Sequence, residues 1–323
     1  MMQSYEQLEK EFGCWAGVNN VVACSSGTTA LHLALEALQL PLGSKVLVPD
    51  YTMVACARAV TLAGLVPTFV DCGDDLLITV DLVREKLTKD CTAVMPVHIY
   101  GRQCDMQPII DLAYDNNLAV VEDLAEAHGV KPHPATDAAC WSFYQNKVIA
   151  GEEGGAVAFR EDKHAKLARQ LRCQGFTDSH DFTHLPRGIN GRLSNANSAL
   201  IIESLHNYDY NIEIRRQIEE QYNSLIPDSW KMPPRLVPWV YDIKIESADV
   251  SKIVQSLNKE GVQARHGFKP MMSQAEYYDY RFSSNALVIR KKIMYLPIHP
   301  SMTRDQVSQI VTATIGLAER FPN

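Results

Sequence analysis

Three short segments of the chain carry residues whose types are suited to chemistry. The segment SSGTT at 25–29 lies at a predicted helix start, where free backbone N–H groups and the helix dipole favour an anion such as a phosphate. Asp123 ends a predicted buried strand, where its carboxylate can pair with a protonated ring nitrogen or a metal ion. Lys147 follows another predicted strand, and a lysine shielded from water can acquire a lowered pKa and attack an aldehyde.

Each segment also has an ordinary structural interpretation. Serine and threonine are common helix caps, and an aspartate after a strand can cap a helix. Lys147, followed by GEEGG, can belong to a solvated hairpin turn. Taken together and in this order, however, the segments supply a phosphate cradle, an acidic partner for a ring nitrogen and an imine-forming amine. These are the three features that pyridoxal 5'-phosphate (PLP) needs, so the sequence predicts a PLP site.

The elements that must position these residues alternate between strand and helix. Near-continuous apolar runs predict buried strands at Lys45–Pro49, Pro67–Asp71, Ala93–His98 and Leu118–Asp123. Helical patterns lie between and around them, at about 28–38, 53–63, 79–87 and 107–116. This alternation predicts an α/β fold with a mainly parallel sheet covered on both faces. Ligands in such folds bind beyond the carboxyl ends of the strands, where Asp123, His98 and Tyr100 are placed.

The second half of the chain has a different pattern. A polar, irregular stretch at 180–195 leads into two predicted helices, one ending near Leu205 and the next near Leu225. After a proline-rich linker come short strands at WVYDIKIE, VQARH and IMYLPIHP, with helices at about 250–260 and 303–320. We therefore predict a large α/β domain at 1–205 that binds PLP and a smaller α+β domain at 206–323.

Composition limits the class of protein. The chain has 323 residues, 46% of them hydrophobic and 21% charged, and no apolar run approaches the length of a membrane span. A net charge of −7 disfavours nucleic acid as a partner without excluding it. The start of the chain lacks the pattern of a secretory signal, and none of the eight cysteines forms a C-x-x-C motif. We expect a cytoplasmic protein with reduced cysteines, no zinc site and no membrane association.

At this level of detail the chain resembles the DegT/StrS-type family of PLP-dependent sugar aminotransferases, which have the aspartate aminotransferase-like fold (fold type I). The resemblance covers almost the whole chain and rests on several motifs in order: SSGTTALHLAL, VLVPDYTMVACARAV, PVHIYGRQCDM, VVEDLAEAHG, SFYQNKVIAGEEGGAV, GINGRLSNANSALI and IMYLPIHPSMT.

The resemblance implies a role for individual residues. The PLP phosphate is assigned to Gly27, Thr28, Thr29 and Ser142. Asp123 matches the aspartate that keeps the pyridine nitrogen protonated, and Lys147 matches the lysine that forms the Schiff base and shuttles a proton. Asn190 and Arg192 match a segment that reaches the neighbouring subunit's cofactor site, which implies a homodimer with shared active sites.

Three departures from the family pattern concern the substrate side of the site. We expect the N-terminal arm of usual members to be absent, because the first predicted helix begins almost at residue 1. Glu126 stands where the family has glutamine, and a carboxylate there favours a protonated imine or a substrate ammonium. Met53 stands where an aromatic residue usually stacks on the PLP ring, and methionine gives a softer platform.

The leading hypothesis is therefore an aminotransferase that moves an amino group from an amino acid donor to a keto acceptor, a keto-sugar nucleotide being the favoured one. The altered substrate side keeps a second hypothesis open: decarboxylation or other Cα chemistry on an atypical amino-acid-like substrate, which includes a modified nucleotide or nucleic-acid base. A PLP-binding regulator without activity is disfavoured, because Asp123 and Lys147 are both retained.

Overall fold

The structure, a computed structural model, describes residues 4–177, 182–278 and 284–322. Residues 180 and 181, at the start of the predicted irregular stretch, lie outside the described residues. Within the described ranges, no helix is both long enough and apolar enough to cross a membrane.

The secondary structure of the described residues is as follows. The α-helices are α1 (Tyr5–Ala16), α2 (Gly27–Ala37), α3 (Val54–Leu62), α4 (Val80–Lys86), α5 (Met106–Asp115), α6 (Asp162–Arg172), α7 (Asn195–His206), α8 (Tyr208–Leu225), α9 (Val250–Lys259), α10 (Asn285–Ile289) and α11 (Arg304–Arg320). The strands are β1 (Val21–Cys24), β2 (Lys45–Pro49), β3 (Val66–Val70), β4 (Cys91–Val94), β5 (Ala119–Asp123), β6 (Ala138–Ser142), β7 (Gly155–Phe159), β8 (Tyr241–Lys244), β9 (Arg265–His266) and β10 (Ile293–Leu296).

Seven strands form the main sheet in the order β1-β7-β6-β5-β4-β2-β3. The strands from β6 to β3 pair in parallel, whereas β7 runs antiparallel to both of its neighbours. The consecutive residues Val46, Leu47 and Val48 of β2 are fully buried. Because successive side chains of a strand point to opposite faces, this burial requires cover on both faces. The predicted α/β fold with a mainly parallel sheet is confirmed.

The predicted helices of the first half begin and end within one residue of the observed ones. The prediction of the third strand was less accurate, since it ran to His98 whereas β4 ends at Val94. Beyond β4 the chain is joined to β5 by isolated hydrogen bonds. In one of them the carbonyl of Pro96 accepts from the amide of Asp123. Pro96 has no N–H to donate, so a continuous ladder cannot form there.

The C-terminal half forms a second, antiparallel sheet in the order β8-β10-β9. Helices α8, α9 and α11 pack together beside it and enclose a separate hydrophobic core that includes Tyr222, Ile243 and Leu257. The smaller C-terminal α+β unit is thus present. The domain boundary between residues 205 and 206 stays a prediction; it falls at the end of α7, just before α8 begins.

A buried cluster of charges joins the smaller sheet to the larger one. Asp242 in β8 is fully buried, and its two carboxylate oxygens accept hydrogen bonds of 2.9 Å from the two Nη atoms of Arg102. Arg235 donates to the same carboxylate at 2.8 Å and to Glu219 at 2.7 Å. Arg102 lies beyond β4 at the carboxyl edge of the main sheet, so this cluster holds β8 close to that edge.

Replacing Asp242 with alanine tests this role. The change removes the buried carboxylate that accepts hydrogen bonds from the guanidinium groups of Arg102 and Arg235. Because buried positive charge is then left without its partner, we expect the free energy of unfolding to fall by about 3–5 kcal/mol. Urea unfolding followed by circular dichroism measures it. The control is Asp228→Ala, which removes an ion pair whose carboxylate is almost fully exposed and should change stability far less. Equal losses in both variants would contradict the proposed role of Asp242.

Candidate active site

A cavity of about 450 Å³, called here the main cavity, opens at the carboxyl edge of the main sheet. Seven of the predicted site residues lie in its wall: Gly27, Thr28, Met53, Asp123, Glu126, Ser142 and Lys147. They come from the start of α2, the segment after β2, the ends of β5 and β6 and the loops that follow. The other two predicted site residues, Thr29 and Asn190, are not among the described residues that line the main cavity.

The start of α2 supplies the anion-binding end of the main cavity. Ser26 caps the helix, and its hydroxyl accepts a hydrogen bond of 3.1 Å from the amide of Thr29. The Thr29 hydroxyl is likewise engaged, with Ser25 and Ser26. The amides of Gly27 and Thr28 have no acceptor among the described residues, as expected for the first turn of a helix. These two N–H groups are therefore available to a ligand.

The helix start and the end of β6 approach too closely for a side chain at Gly27. A Cβ atom there would lie 2.7 Å from the Cβ of Ser142, well inside van der Waals contact. The register of the sheet causes this approach, because Gly155 of β7 lies opposite Cys24 at the end of β1 and Ser142 at the end of β6. The Ser142 hydroxyl is thus held beside the free amides of α2.

Asp123 lies at the end of β5 with its carboxylate already oriented. One oxygen, Oδ1, accepts from the amide of Ala125 at 2.9 Å, and Oδ2 accepts from the thiol of Cys56 at 3.1 Å. Burial and the charge of Asp123 raise the pKa of the Cys56 thiol well above its usual value, so the thiol remains a donor. No helix begins between Asp123 and the start of β6 at Ala138, so the alternative of a simple helix cap does not apply.

Lys147 lies in the loop between β6 and β7, five residues beyond Ser142 rather than directly at the strand end. Its side chain is only 11% exposed, which excludes a solvated turn lysine. The Nζ atom is 3.9 Å from Oε1 of Glu126 and 3.9 Å from the centroid of the Trp239 ring. Burial lowers the pKa of the Lys147 ammonium, although the carboxylates of Glu126 and Asp123 act in the opposite direction.

Glu126 shares this buried environment. Its Oε2 accepts a hydrogen bond of 2.8 Å from the amide of Tyr100, a residue held in the left-handed region with φ 52°. Burial raises the pKa of Glu126 to about 7, although Lys147 lowers it. At neutral pH the carboxyl group is thus near its midpoint, so that it can take up or release a proton beside Lys147.

No pattern in the sequence points to Trp239, whose ring covers the Lys147 amine. The indole Nε1–H donates to the carbonyl of Asn146 at 2.8 Å and so fixes the ring against the lysine loop. Trp239 lies more than ninety positions along the chain from Lys147, and the pattern of its segment predicts only a strand. The role of Cys56 was missed for a similar reason, because its contact with Asp123 links residues far apart in sequence.

Some residues of the sequence motifs lie outside the wall of the main cavity, among them His98, His128, Asn190 and Arg192. His98 is fully buried and bonds Glu122 at 2.9 Å, outside the wall of the main cavity. His128 accepts at Nδ1 from the amide of Ile149 at 2.9 Å, and this bond fixes the chain just after Lys147. Asn190 and Arg192 are exposed on the surface.

The comparisons with known proteins agree with this architecture. The model of the DegT/DnrJ/EryC1/StrS aminotransferase family matches residues 2–314, so the chain belongs to that family. It is 31% identical over 95% of its length to GDP-perosamine synthase of Caulobacter vibrioides, of which it covers 88%. It is 30% identical over 94% of its length to GDP-perosamine synthase of Escherichia coli O157:H7, of which it covers 87%.

Among solved structures, the chain is similar to the S. venezuelae protein DesV. The TM-score is 0.89 at 27% identity, and the match covers 98% of this chain and 89% of DesV. The predicted resemblance to the DegT/StrS family and the aspartate aminotransferase-like fold are confirmed.

The raised pKa of Glu126 predicts a specific pH dependence of stability. The folded protein holds a proton on Glu126 up to about pH 7, whereas an unfolded glutamate releases it near pH 4.5. The contribution of Glu126 to stability is therefore complete below pH 4.5 and is lost as the pH rises through 7. We expect wild type to lose about 1–3 kcal/mol relative to Glu126→Gln across this window. Urea unfolding at several pH values measures the difference, and a difference that does not change with pH would contradict the raised pKa.

Proposed function

We propose that this member of the family is a PLP-dependent aminotransferase that transfers an amino group from an amino acid to a keto-sugar nucleotide. The observation that carries the proposal is a single cavity whose wall holds Lys147, Asp123 and the free amides of α2. These groups match the aldehyde, the ring nitrogen and the phosphate of one molecule of PLP.

The residues present fit this cofactor. The amides of Gly27 and Thr28 and the hydroxyl of Ser142 would hold the phosphate, in a cradle that a side chain at Gly27 would fill. Asp123 would bind the ring nitrogen, and Met53 would lie against the ring. Lys147 would attach the cofactor covalently through Nζ. When bound, PLP supplies an electron sink for the bonds at the substrate Cα.

The surrounding side chains prepare Lys147 for proton transfer. Its lowered pKa makes the neutral amine, the form that can accept a proton, more accessible near neutral pH. Glu126, 3.9 Å away, can stabilise positive charge on Nζ and exchange a proton itself. The ring of Trp239 covers the amine and limits the access of water.

The proposed acceptor follows from the relatives. Both relatives described above are named GDP-perosamine synthase, and the product in that name is a sugar nucleotide. The chain covers 88% and 87% of their lengths. We therefore propose a keto-sugar nucleotide as acceptor and a common amino acid such as glutamate as donor.

We also propose a homodimer that shares its active sites. Asn190 and Arg192 are exposed and do not line the main cavity of their own chain, as expected if they serve the site of a neighbouring subunit. A sedimentation mass of a single chain would contradict the dimer. The eight cysteines are all free thiols and six are buried, which supports a reducing, cytoplasmic location.

The function is tested with protein loaded with PLP. Adding glutamate should convert the absorbance of the bound cofactor to that of pyridoxamine phosphate, and 4-keto-sugar nucleotides should reverse the change while the amino sugar appears by mass spectrometry. Asp123→Asn keeps the size of the side chain but removes the charge that keeps the ring nitrogen protonated, so we expect conversion to slow by at least about 100-fold. Release of carbon dioxide from the amino acid, without formation of a keto acid, would contradict aminotransfer.

A further inference from the structure

A second cavity, of about 590 Å³ and called here the side cavity, adjoins the main cavity on the far side of Lys147. The two cavities share six residues of their walls: Tyr144, Asn146, Lys147, Trp239, Arg265 and Tyr295. The rest of the side cavity is formed mainly by the end of α7, by α8 and by the segment after β10. A molecule that occupies both cavities would pass directly beside the Lys147 amine.

The two cavities differ in charge. The main cavity contains the carboxyl groups of Asp123, Glu126 and Glu153. The side cavity is lined by Lys147, Arg215 and Arg265, and no aspartate or glutamate belongs to its wall in the described part of the chain. An excess of positive charge in a partly enclosed space raises the local concentration of anions.

Arg215 is the buried member of this set. The residue is 4% exposed, and its Nη1 donates to the carbonyls of Trp239 at 3.1 Å and Ile298 at 2.8 Å. The Nε atom is buried without a partner, and the described residues provide no carboxylate to pair with this cation. Burial lowers the pKa of Arg215 only to about 10, so it stays charged at neutral pH. A buried charge without a counter-ion is costly, and an oxyanion in the cavity would offset that cost.

Arg265 is the accessible member. It lies in β9, lines both cavities, and its side chain makes no hydrogen bond or ion pair with any described residue. By contrast, Arg235 in the same half of the chain is fully engaged by Glu219 and Asp242. Arg265 is therefore free to form a two-point contact with a planar carboxylate or with a phosphate.

We propose that the side cavity binds an oxyanion of a substrate, through Arg265 at its entrance and Arg215 in its wall. That the ligand is a substrate rests on the proposed function; that it is an oxyanion rests on the cavity alone. The two proposed substrates offer the same chemistry, since the amino acid carries carboxylates and the sugar nucleotide carries a diphosphate. Binding of either in the side cavity would direct the reacting end of the molecule past Lys147.

The test measures binding without turnover. Protein supplied with saturating PLP is titrated by calorimetry, at constant ionic strength, with succinate, inorganic phosphate and GDP. Arg265→Met should weaken at least one of these ligands by about 10- to 100-fold, the loss expected for a charge-assisted contact. Arg265→Lys, which keeps the charge without the planar fork, should lose less. Arg265 is chosen because Arg215 also bridges two carbonyls, so its replacement would disturb the fold.

The matched control is Arg216→Met, which removes an exposed arginine on α8 that does not line the cavity and should leave all affinities unchanged. If Arg265→Met loses affinity for succinate alone, the side cavity is assigned to the amino donor. If it loses affinity for phosphate and GDP alone, the side cavity is assigned to the acceptor. The proposal is overturned if no oxyanion binds, or if Arg265→Met and Arg216→Met behave alike. A protein that binds oxyanions through Arg265 but fails to transfer amino groups would refute the proposed function and leave the anion site standing.

Discussion

Lys147 places a primary amine almost out of contact with water, and the groups around it come from distant parts of the chain. An isolated ammonium in such a place would lose most of its hydration. Glu126, at 3.9 Å, and the face of Trp239, also at 3.9 Å, compensate for part of that loss. Because the compensation is partial, the pKa of the amine falls, and a lysine becomes a nucleophile.

This constraint explains why the smaller C-terminal sheet must be held against the larger one. Trp239 precedes β8, and the carboxylate of Asp242 within β8 is bonded to Arg102 beyond β4. If β8 moved away, the indole would leave the amine and water would reach it. The same attachment brings Arg265 and Tyr295 beside the lysine loop, so the side cavity exists only while the two sheets stay together.

Much of the site was predictable, because its residues lie at the ends of strongly patterned elements. Asp123 ends a buried, mostly apolar strand, and Gly27 and Thr28 open a helix with a serine cap. The carboxyl ends of neighbouring parallel strands meet at one edge, so the order of motifs sufficed to place them together. The bounds of the helices followed from apolar periodicity and caps for the same reason.

The rest depended on contacts between residues far apart in sequence, which no local pattern encodes. Trp239 contacts Lys147 from the segment before β8, and Cys56 donates to Asp123 from α3. Arg215 lines the side cavity only once α8 lies against the segment after β10. Thr29 belongs to the SSGTT motif that predicts a phosphate contact, and its hydroxyl bonds Ser25 and Ser26. Its contact with the phosphate stays a prediction. Sequence identifies which residues can act, and packing decides which of them face the ligand.

The central claim, that Lys147 is the covalent attachment point of the cofactor, is tested most directly by trapping that bond. Protein loaded with PLP is reduced with borohydride, digested and mapped by mass spectrometry. The account predicts a phosphopyridoxyl group on the peptide that contains Lys147, and its loss in Lys147→Arg, which keeps the positive charge but does not form the bond. A modification on another lysine instead, or none in the wild-type protein, would contradict the account.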